Sequence, residues 1–569
     1  MTLIAAVEQG IDKVECCIFS LQTQKILARH NIRITTIVDK KPGFLEQDPD
    51  EIYDSITQCI TQCIKQIPGI TESDFFSLGI AAQPGTALAW DRLTGDVISP
   101  AILCDDTRTN KLVEEYIRKT PGCNMYHFFE RTALPLNSFF AAMKYRWILD
   151  NCPAARKALK ENRLALGTMD TWIVFRLTRG AKFVTEVTSA SKTLLMNIKT
   201  FKWDKEMLNF FDIPESCLAE ILNTAQEIGP VTDEQTGLRC VFINAIMCSL
   251  QANMVGESFD LSKKTNVTLK ARVGNRGTFL WNVGPYLPKC HSGLLTTVLY
   301  KLDDENLSYA IEGIVSSSGS SLDWIINKLG LCKDFNELDE IATQQYCNWK
   351  LSGKEDVVFF VPAFTGLYSP YWRSDARSIL MGFDRKCTKE DVILSCIRAC
   401  AYQMQDMLQA GIDCLNVSRP CLLMVDGGVS ESDAFMQSLA DITGIQVSRS
   451  SNISILPCLG VAIMCCISKS VDPSALINIR NSSNGECRIT GVTTYLPSIT
   501  DELRRKNYVR WESSLQRSFQ WKPVARFHDC KCSRNIKKKP CNSCSLSKTM
   551  VCCLGGSAVG YLLARKGFV

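Results

Sequence analysis

Residues 421–430 read Cys-Leu-Leu-Met-Val-Asp-Gly-Gly-Val-Ser. The apolar run after Cys421 has the length of a buried strand, the paired glycines turn the chain, and residues 432–443 follow with helical periodicity. In an open α/β sheet, such a junction of strand and helix is where free backbone N–H groups can face a nucleotide. Residues 245–257, Ala-Ile-Met-Cys-Ser-Leu-Gln-Ala-Asn-Met-Val-Gly-Glu, form a second strand-to-helix turn in the first half of the chain. That turn offers a serine, a leucine and a glutamine, and no ionisable group.

Outward from these two turns the halves read alike. Residues 3–7 and 14–21 are β-type runs separated by Glu8-Gln-Gly-Ile-Asp-Lys13, which predicts a hairpin with Gly10 supplying a positive φ. Helical periodicity follows over 50–66, then a buried strand over 75–82, a helix over 141–150, and mixed character over 164–177. In the second half, residues 266–283 read as strand, Gly-containing turn and strand. Residues 357–361 read as a buried strand, and 391–410 as an amphipathic helix with Ile393, Cys396, Ile397, Cys400, Ala401 and Met404 on one face. The expected fold class is α/β, two domains around a central cleft, with a boundary near 257–262.

Composition sets the outer limits. The chain has 569 residues, 46% hydrophobic and 22% charged, enough for two large domains. Eight lysines and arginines follow Asp529 with no acid after them, so the formal charge of +5 belongs to the tail. The body is slightly acidic and gives no reason to bind nucleic acid. The 28 cysteines accompany an amino terminus without the marks of a secretory leader, which predicts reduced thiols in the cytosol. Most, such as Cys16, Cys17, Cys465 and Cys466, read as small core hydrophobes.

Three further motifs now matter: residues 362–377, Pro-Ala-Phe-Thr-Gly-Leu-Tyr-Ser-Pro-Tyr-Trp-Arg-Ser-Asp-Ala-Arg; residues 167–172, Gly-Thr-Met-Asp-Thr-Trp; and Asp426-Gly-Gly428. Together with Asp106-Thr-Arg108, Glu312-Gly313 and a closing helix bearing Tyr508, Trp511 and Trp521, they resemble the glycerol kinases of the FGGY carbohydrate kinase family over residues 2–522. The resemblance implies two actin-like ATPase (ribonuclease H-like) domains, residues 1–258 on the substrate side and 259–522 on the nucleotide side. It also implies ATP and Mg²⁺ as cofactors, glycerol or another small polyol as substrate, and phosphoryl transfer to a primary hydroxyl. That chemistry needs positioning, charge neutralisation and a carboxylate to accept the hydroxyl proton.

Matched position by position, the resemblance places Ser249 where the family has its base aspartate. A serine hydroxyl is no substitute, and loss of a general base typically costs about 10²–10⁴ in rate. The polyol contacts fall on Pro84, Gly85, Phe139 and Leu250, and the neighbouring tryptophan on Cys104, so each polar partner is replaced. A buried hydroxyl without its partner costs on the order of 1–3 kcal/mol. The first phosphate loop is Gly10, Ile11, Asp12 and Lys13, with Glu8 as the candidate magnesium ligand. Asp12 and Glu15 repel phosphate there, and Lys13 is the compensating cation. The second loop is Gly274, Asn275, Arg276 and Gly277, with Arg276 suited to an anion; Gly319, Asp323, Gly428 and Ser432 fall on the adenine side. The reading is a family member with impaired catalysis, a pseudokinase. The alternative is an active kinase for glycerol or another polyol with a base drawn from Asp106 or Glu186.

The tail, 523–549, is basic and rich in cysteine. Cys530, Cys532, Cys541 and Cys544, with His528 nearby, could surround a zinc ion, or belong to a disordered segment with incidental or lipidated cysteines. Residues 550–564 are uncharged and flanked by Lys548 and by Arg565-Lys566. As a helix they would extend roughly 22 Å, short of a ~30 Å hydrocarbon core, a gap that basic flanks can bridge by snorkelling. Residues 550–566 are therefore expected to anchor the protein at the cytoplasmic face of the mitochondrial outer membrane, with Cys552 and Cys553 as acylation candidates; a helix docked on the body is the other reading. A second copy of the chain is a further partner compatible with the sequence.

Overall fold

The computed structural model describes residues 2–521 apart from 39–40, 260–267, 289–291, 316, 450–454 and 482–492. The zinc, acylation and anchor expectations of the tail lie outside the described residues. No helix among the described residues is long and apolar enough to cross a membrane.

Two mixed sheets share one plan. In the first, Leu3–Gln9 pairs antiparallel with Lys13–Ser20, which pairs antiparallel with Lys25–Arg33; on its other edge Leu3–Gln9 runs parallel to Phe75–Ala82, and that strand runs parallel to Phe242–Cys248. In the second, Leu269–Val273 pairs antiparallel with Gly277–Gly284, which pairs antiparallel with Leu307–Val315. Leu269–Val273 runs parallel to Leu422–Asp426, which runs parallel to Gln446–Arg449. Each sheet thus has three neighbouring antiparallel strands whose first strand starts a parallel series; in the second sheet the third of them is reached through the edge strand Leu295–Lys301, which pairs antiparallel with it. Each sheet places a hairpin turn and a strand-to-helix turn at one end. The duplication expected from the sequence is present.

Local chemistry explains the elements. The helix Pro49–Lys65 starts at Asp48, whose side chain accepts from Asp50 N–H, with Pro49 at its first position. It buries Ile52, Ile56, Cys59, Ile60 and Cys63 against the first sheet. The ambiguous stretch at 164–177 resolves into the strand Leu164–Thr168 running straight into the helix Met169–Leu177. The expected strand at 357–361 is shorter, Phe359–Val361, and Val357 is exposed. Helix Leu456–Ser468 is apolar on every side and packs among Ile4, Ala6, Cys17, Ala81, Ala252 and Val255 of the first sheet and its helix. Late chain therefore completes an early core.

One local expectation needs correction. Gly10 does not adopt a positive φ; its N–H closes the turn on the Lys13 carbonyl at 2.9 Å with an ordinary φ. Nineteen of the described cysteines are free thiols, and most of these are buried.

Candidate active site

The first strand-to-helix turn passes from Phe242–Cys248 into Ser249–Ser258 without a break, and Ser249 is its half-buried first helical residue. Leu250 packs with Cys248, Met254, Leu280, Leu299 and Ala310, joining the two sheets by apolar contact. Beside it runs a polar chain. Gln251 Nε2 donates to Thr297 Oγ1 at 3.3 Å, Thr297 Oγ1 donates to Glu312 Oε2 at 3.2 Å, and Lys192 Nζ donates to both Glu312 oxygens at 2.7 and 2.6 Å. Lys192 and Glu312 are almost fully buried. Burial alone would lower the Lys192 ammonium's pKa; the Glu312 carboxylate outweighs it and leaves the pKa raised.

Of the positions matched to polyol contacts, Gly85 and Phe139 meet at Cys104 in a mostly apolar patch, and Leu250 packs in a separate cluster. Gly85 has φ +66°, and a Cβ there would meet the Phe139 carbonyl oxygen at 3.2 Å and Cys104 Cβ at 3.3 Å. A side chain at that position would be strained and would have to push Phe139 and Cys104 aside. Pro84 is half-buried next to it. Phe139 is buried, with its ring 5.8 Å from Tyr368 of the 362–377 motif. Lys144 Nζ donates to the Ser138 and Phe139 carbonyls at 2.8 Å each, and burial lowers its pKa to about 8.

Arg276 closes this patch from the opposite sheet. Its Nε lies 2.8 Å from Asp105 Oδ2, its Nη1 donates to Asp105 Oδ1 at 3.2 Å and to Cys104 Sγ at 2.9 Å, and its guanidinium carbon lies 5.8 Å from the Phe139 ring. Burial raises the Asp105 carboxyl pKa, and Arg276 offsets this only in part. Asp105 and Lys144 were not legible as site residues. The only signal was an extra acid in Cys104-Asp-Asp106.

The first phosphate loop is held mainly by residues of the first half. Gln47 Nε2 donates to the Ile11 carbonyl at 2.6 Å, and the Lys13 ammonium is bonded by the buried Glu15, which also holds Arg29. Asp12 is exposed and accepts from Asn275 Nδ2 at 3.3 Å. In the second loop the amino end of the helix Gly319–Asn327 is capped by loop carbonyls: Gly319 N–H donates to Gly274 O at 2.8 Å, and the Ser318 and Ser320 N–H groups donate to Asn275 O at 3.0 and 3.2 Å. Gly277 is packed against Met404 and Val315. Asp323 is exposed, its carboxyl pKa raised by partial desolvation and by Asp12.

At the second strand-to-helix turn Gly427 has φ +100°, and a Cβ would meet the Val273 carbonyl oxygen at 2.4 Å, so only glycine serves. Gly428 faces open space. Ser432 Oγ accepts from Phe435 N–H at 3.0 Å and bonds Asp339, capping Asp433–Thr443.

Glu8 presents one oxygen, Oε1, 3.6 Å from Arg272, while its buried Oε2 has no hydrogen-bond partner; burial raises its pKa. That oxygen fits a cation, although no three His, Cys, Asp or Glu side chains gather as a metal group among the described residues. A triphosphate fits poorly. The first turn has no hydroxyl side chain, its lysine is held by Glu15, Arg276 is held by Asp105, and Asp12 adds a negative charge.

The two alternative bases are also engaged. Asp106 accepts from Leu45 N–H at 2.7 Å and Arg108 N–H at 2.9 Å, and is forked by the Arg108 side chain. Glu186 caps Val187–Ala190, accepting from Thr188 and Ser189 N–H at 2.8 Å each, and burial pushes its pKa up to about 7.

Two sheets of like order, each with a hairpin turn and a strand-to-helix turn at one end, define the architecture, and comparison with known proteins says which family has it. Models of the N-terminal and C-terminal domains of the FGGY family of carbohydrate kinases match residues 3–247 and 292–468. The chain belongs to this family, whose kinases depend on ATP. It is similar to glycerol kinase 2 of Streptomyces coelicolor, 32% identical over 91% of this chain and 97% of that protein, and to the glycerol kinase of Chloroflexus aurantiacus, 33% identical over 91% and 99%. Among solved structures, Plasmodium falciparum glycerol kinase with ADP aligns with a TM-score of 0.77 at 27% identity over 91% of this chain and 98% of that one. Xylulose kinase from Lactobacillus acidophilus, at 18% identity and TM-score 0.72, shares the fold.

Proposed function

We propose that this protein is a glycerol-kinase relative that no longer phosphorylates glycerol at ordinary kinase rates, and acts as a scaffold or weak ligand binder. The observation that carries the reading is the Arg276 contact with Asp105 and Cys104 beside Phe139: the loop suited to phosphate closes on the pocket suited to polyol. Ser249 supplies a hydroxyl where proton transfer calls for a carboxylate, and Asp106 and Glu186 are bound by neighbouring N–H groups. Nucleotide affinity is weak on this reading, with ADP losing less than ATP because the Ile11-Asp12-Lys13 turn faces the terminal phosphates.

A coupled assay of the purified full chain with millimolar glycerol, with and without Ser249→Asp, tests it. The expected result is negligible turnover, unrestored by Ser249→Asp alone since Gly85 brings no polar side chain. Turnover of about 1–100 s⁻¹ by the unmodified chain would overturn the proposal. One observation favours a second reading, an active kinase for another polyol: the raised carboxyl of Asp105 lies next to Cys104 in the same patch. Turnover on another polyol that is lost in Asp105→Asn would establish it.

We also propose that residues 550–566 anchor the chain to the mitochondrial outer membrane. Residues 530–569 fused to a fluorescent protein should label mitochondria and resist alkaline extraction; a diffuse signal would refute the anchor.

A further inference from the structure

Away from the cleft, the end of the helix Phe335–Ser352, the segment 354–360 and the first turns of the helix Lys389–Leu415 enclose a cavity of about 240 Å³. Its wall carries Trp349, Lys354, Asp356, Phe360, Arg398 and Tyr402. Arg398 is 3% exposed. Its Nη1 bonds Asp356 Oδ1, and Tyr402 OH bonds the other Asp356 oxygen. Its Nε and Nη2, which form one edge of the guanidinium, have no hydrogen-bond partner. The Trp349 ring lies 3.9 Å from the Arg398 guanidinium carbon, and Trp349 Nε1 is likewise unpartnered.

The unpartnered buried side-chain atoms of this wall are therefore all N–H donors, with no orphaned acceptor among them. A buried donor left unmet forfeits the hydrogen bond it had with water, so three in one place favour an occupant rich in acceptors. The side edge of an arginine matches a carboxylate, with two parallel N–H···O bonds. The acids of the wall leave room for that charge, because each already has partners. Asp356 is held by Arg398 and Tyr402, and Glu355 by Arg510 at 2.6 Å and Lys506 at 3.9 Å. Asp391 accepts from Thr388 N–H at 2.9 Å and Gln345 Nε2 at 2.7 Å. Lys354 is exposed at the rim.

We propose that this cavity is a second ligand site, taking a small carboxylic acid as its anion, with the carboxylate on Arg398 Nε and Nη2 and on Trp349 Nε1, Lys354 at the rim, and Phe360 and Tyr402 against the apolar part. Acetate is the probe, with acetamide as a neutral molecule of the same shape. The full chain is titrated at fixed pH and ionic strength and its thermal midpoint recorded. Acetate should raise the midpoint and acetamide should not. Arg398 is left intact because it holds Asp356. Trp349→Phe keeps the ring and removes the donor, and should weaken the acetate response about tenfold; Lys354→Gln should weaken it by a smaller factor. Equal shifts with acetate and acetamide, no shift with acetate, or a full acetate response in both variants would overturn the site; the last would place acetate elsewhere, such as at Arg276.

Discussion

The first hairpin of each sheet ends in a turn aimed at the cleft, and the two turns use their cations differently. In the first, Lys13 folds back on Glu15 in its own sheet, while Gln47 holds the Ile11 carbonyl and Ile34 N–H donates to the Asp12 carbonyl at 3.0 Å. In the second, Arg276 leaves its sheet and crosses to Asp105 and Cys104. The first turn keeps its cation inside its own half and meets the other half through Asp12 and Asn275, whereas the second carries its cation across. In both, a group of the sign that would attract phosphate is engaged by a carboxylate of the same chain.

The largest test of this comparison concerns another ion pair between the halves, Lys192 with Glu312. Glu312→Gln leaves the buried Lys192 ammonium without its counter-charge and should destabilise the protein by about 3–5 kcal/mol, read from denaturant midpoints. Arg276→Ala should cost much less, on the order of 1 kcal/mol, because Arg276 and Asp105 are both partly exposed. It should instead loosen the cleft, raising the radius of gyration in solution scattering and speeding proteolysis between the halves. A large stability loss without expansion would show that Arg276 packs rather than ties.

Acid–base behaviour separates the scaffold from the turns. Burial pushes the carboxyl pKa values of Glu186 and Asp406 up to about 7. Asp406 is held by Tyr508 OH at 2.7 Å and Trp511 Nε1 at 2.9 Å. Below the unfolded carboxylate range both states are protonated; as pH rises towards 7 the unfolded chain ionises first, so these two groups make stability fall between about pH 4.5 and 7. Asp406→Asn should flatten that slope, and an unchanged slope in pH-dependent melts would exclude Asp406 as its source.

The smallest effect is at Asp12. Exposed Asp12→Asn should alter stability by less than about 0.5 kcal/mol, yet it removes a negative charge from the first turn and should strengthen binding of Mg-ADP in calorimetry. If binding is unchanged, Asp12 does not face the phosphates.

Much of this was legible in the chain itself. The hairpin at 3–20, the strand at 75–82 and the junctions at 248–249 and 426–433 followed from apolar runs bounded by turn residues, because side-chain periodicity and backbone turns are local properties. That Ser249, Leu250, Phe139 and Gly85 carry no ionisable group was equally plain, and their assignment to the site was what the family resemblance implied. Gly10 was misread because a tight turn can close with an ordinary φ, and sequence does not report which residue takes the strain.

The sequence by itself determined two α/β halves of like order and the uncharged residues at Ser249, Leu250, Phe139 and Gly85. Only tertiary structure decided that Leu456–Ser468 completes the first sheet's core, that Lys192 meets Glu312, that Arg276 reaches Asp105, and that Arg398 lies against the Trp349 ring in the wall of a cavity. Those partners are 120, 171 and 49 residues apart or belong to different sheets. An ion pair forms where two backbones bring opposite charges within a few ångströms, and at such separations no local pattern encodes which arginine or lysine will find which acid.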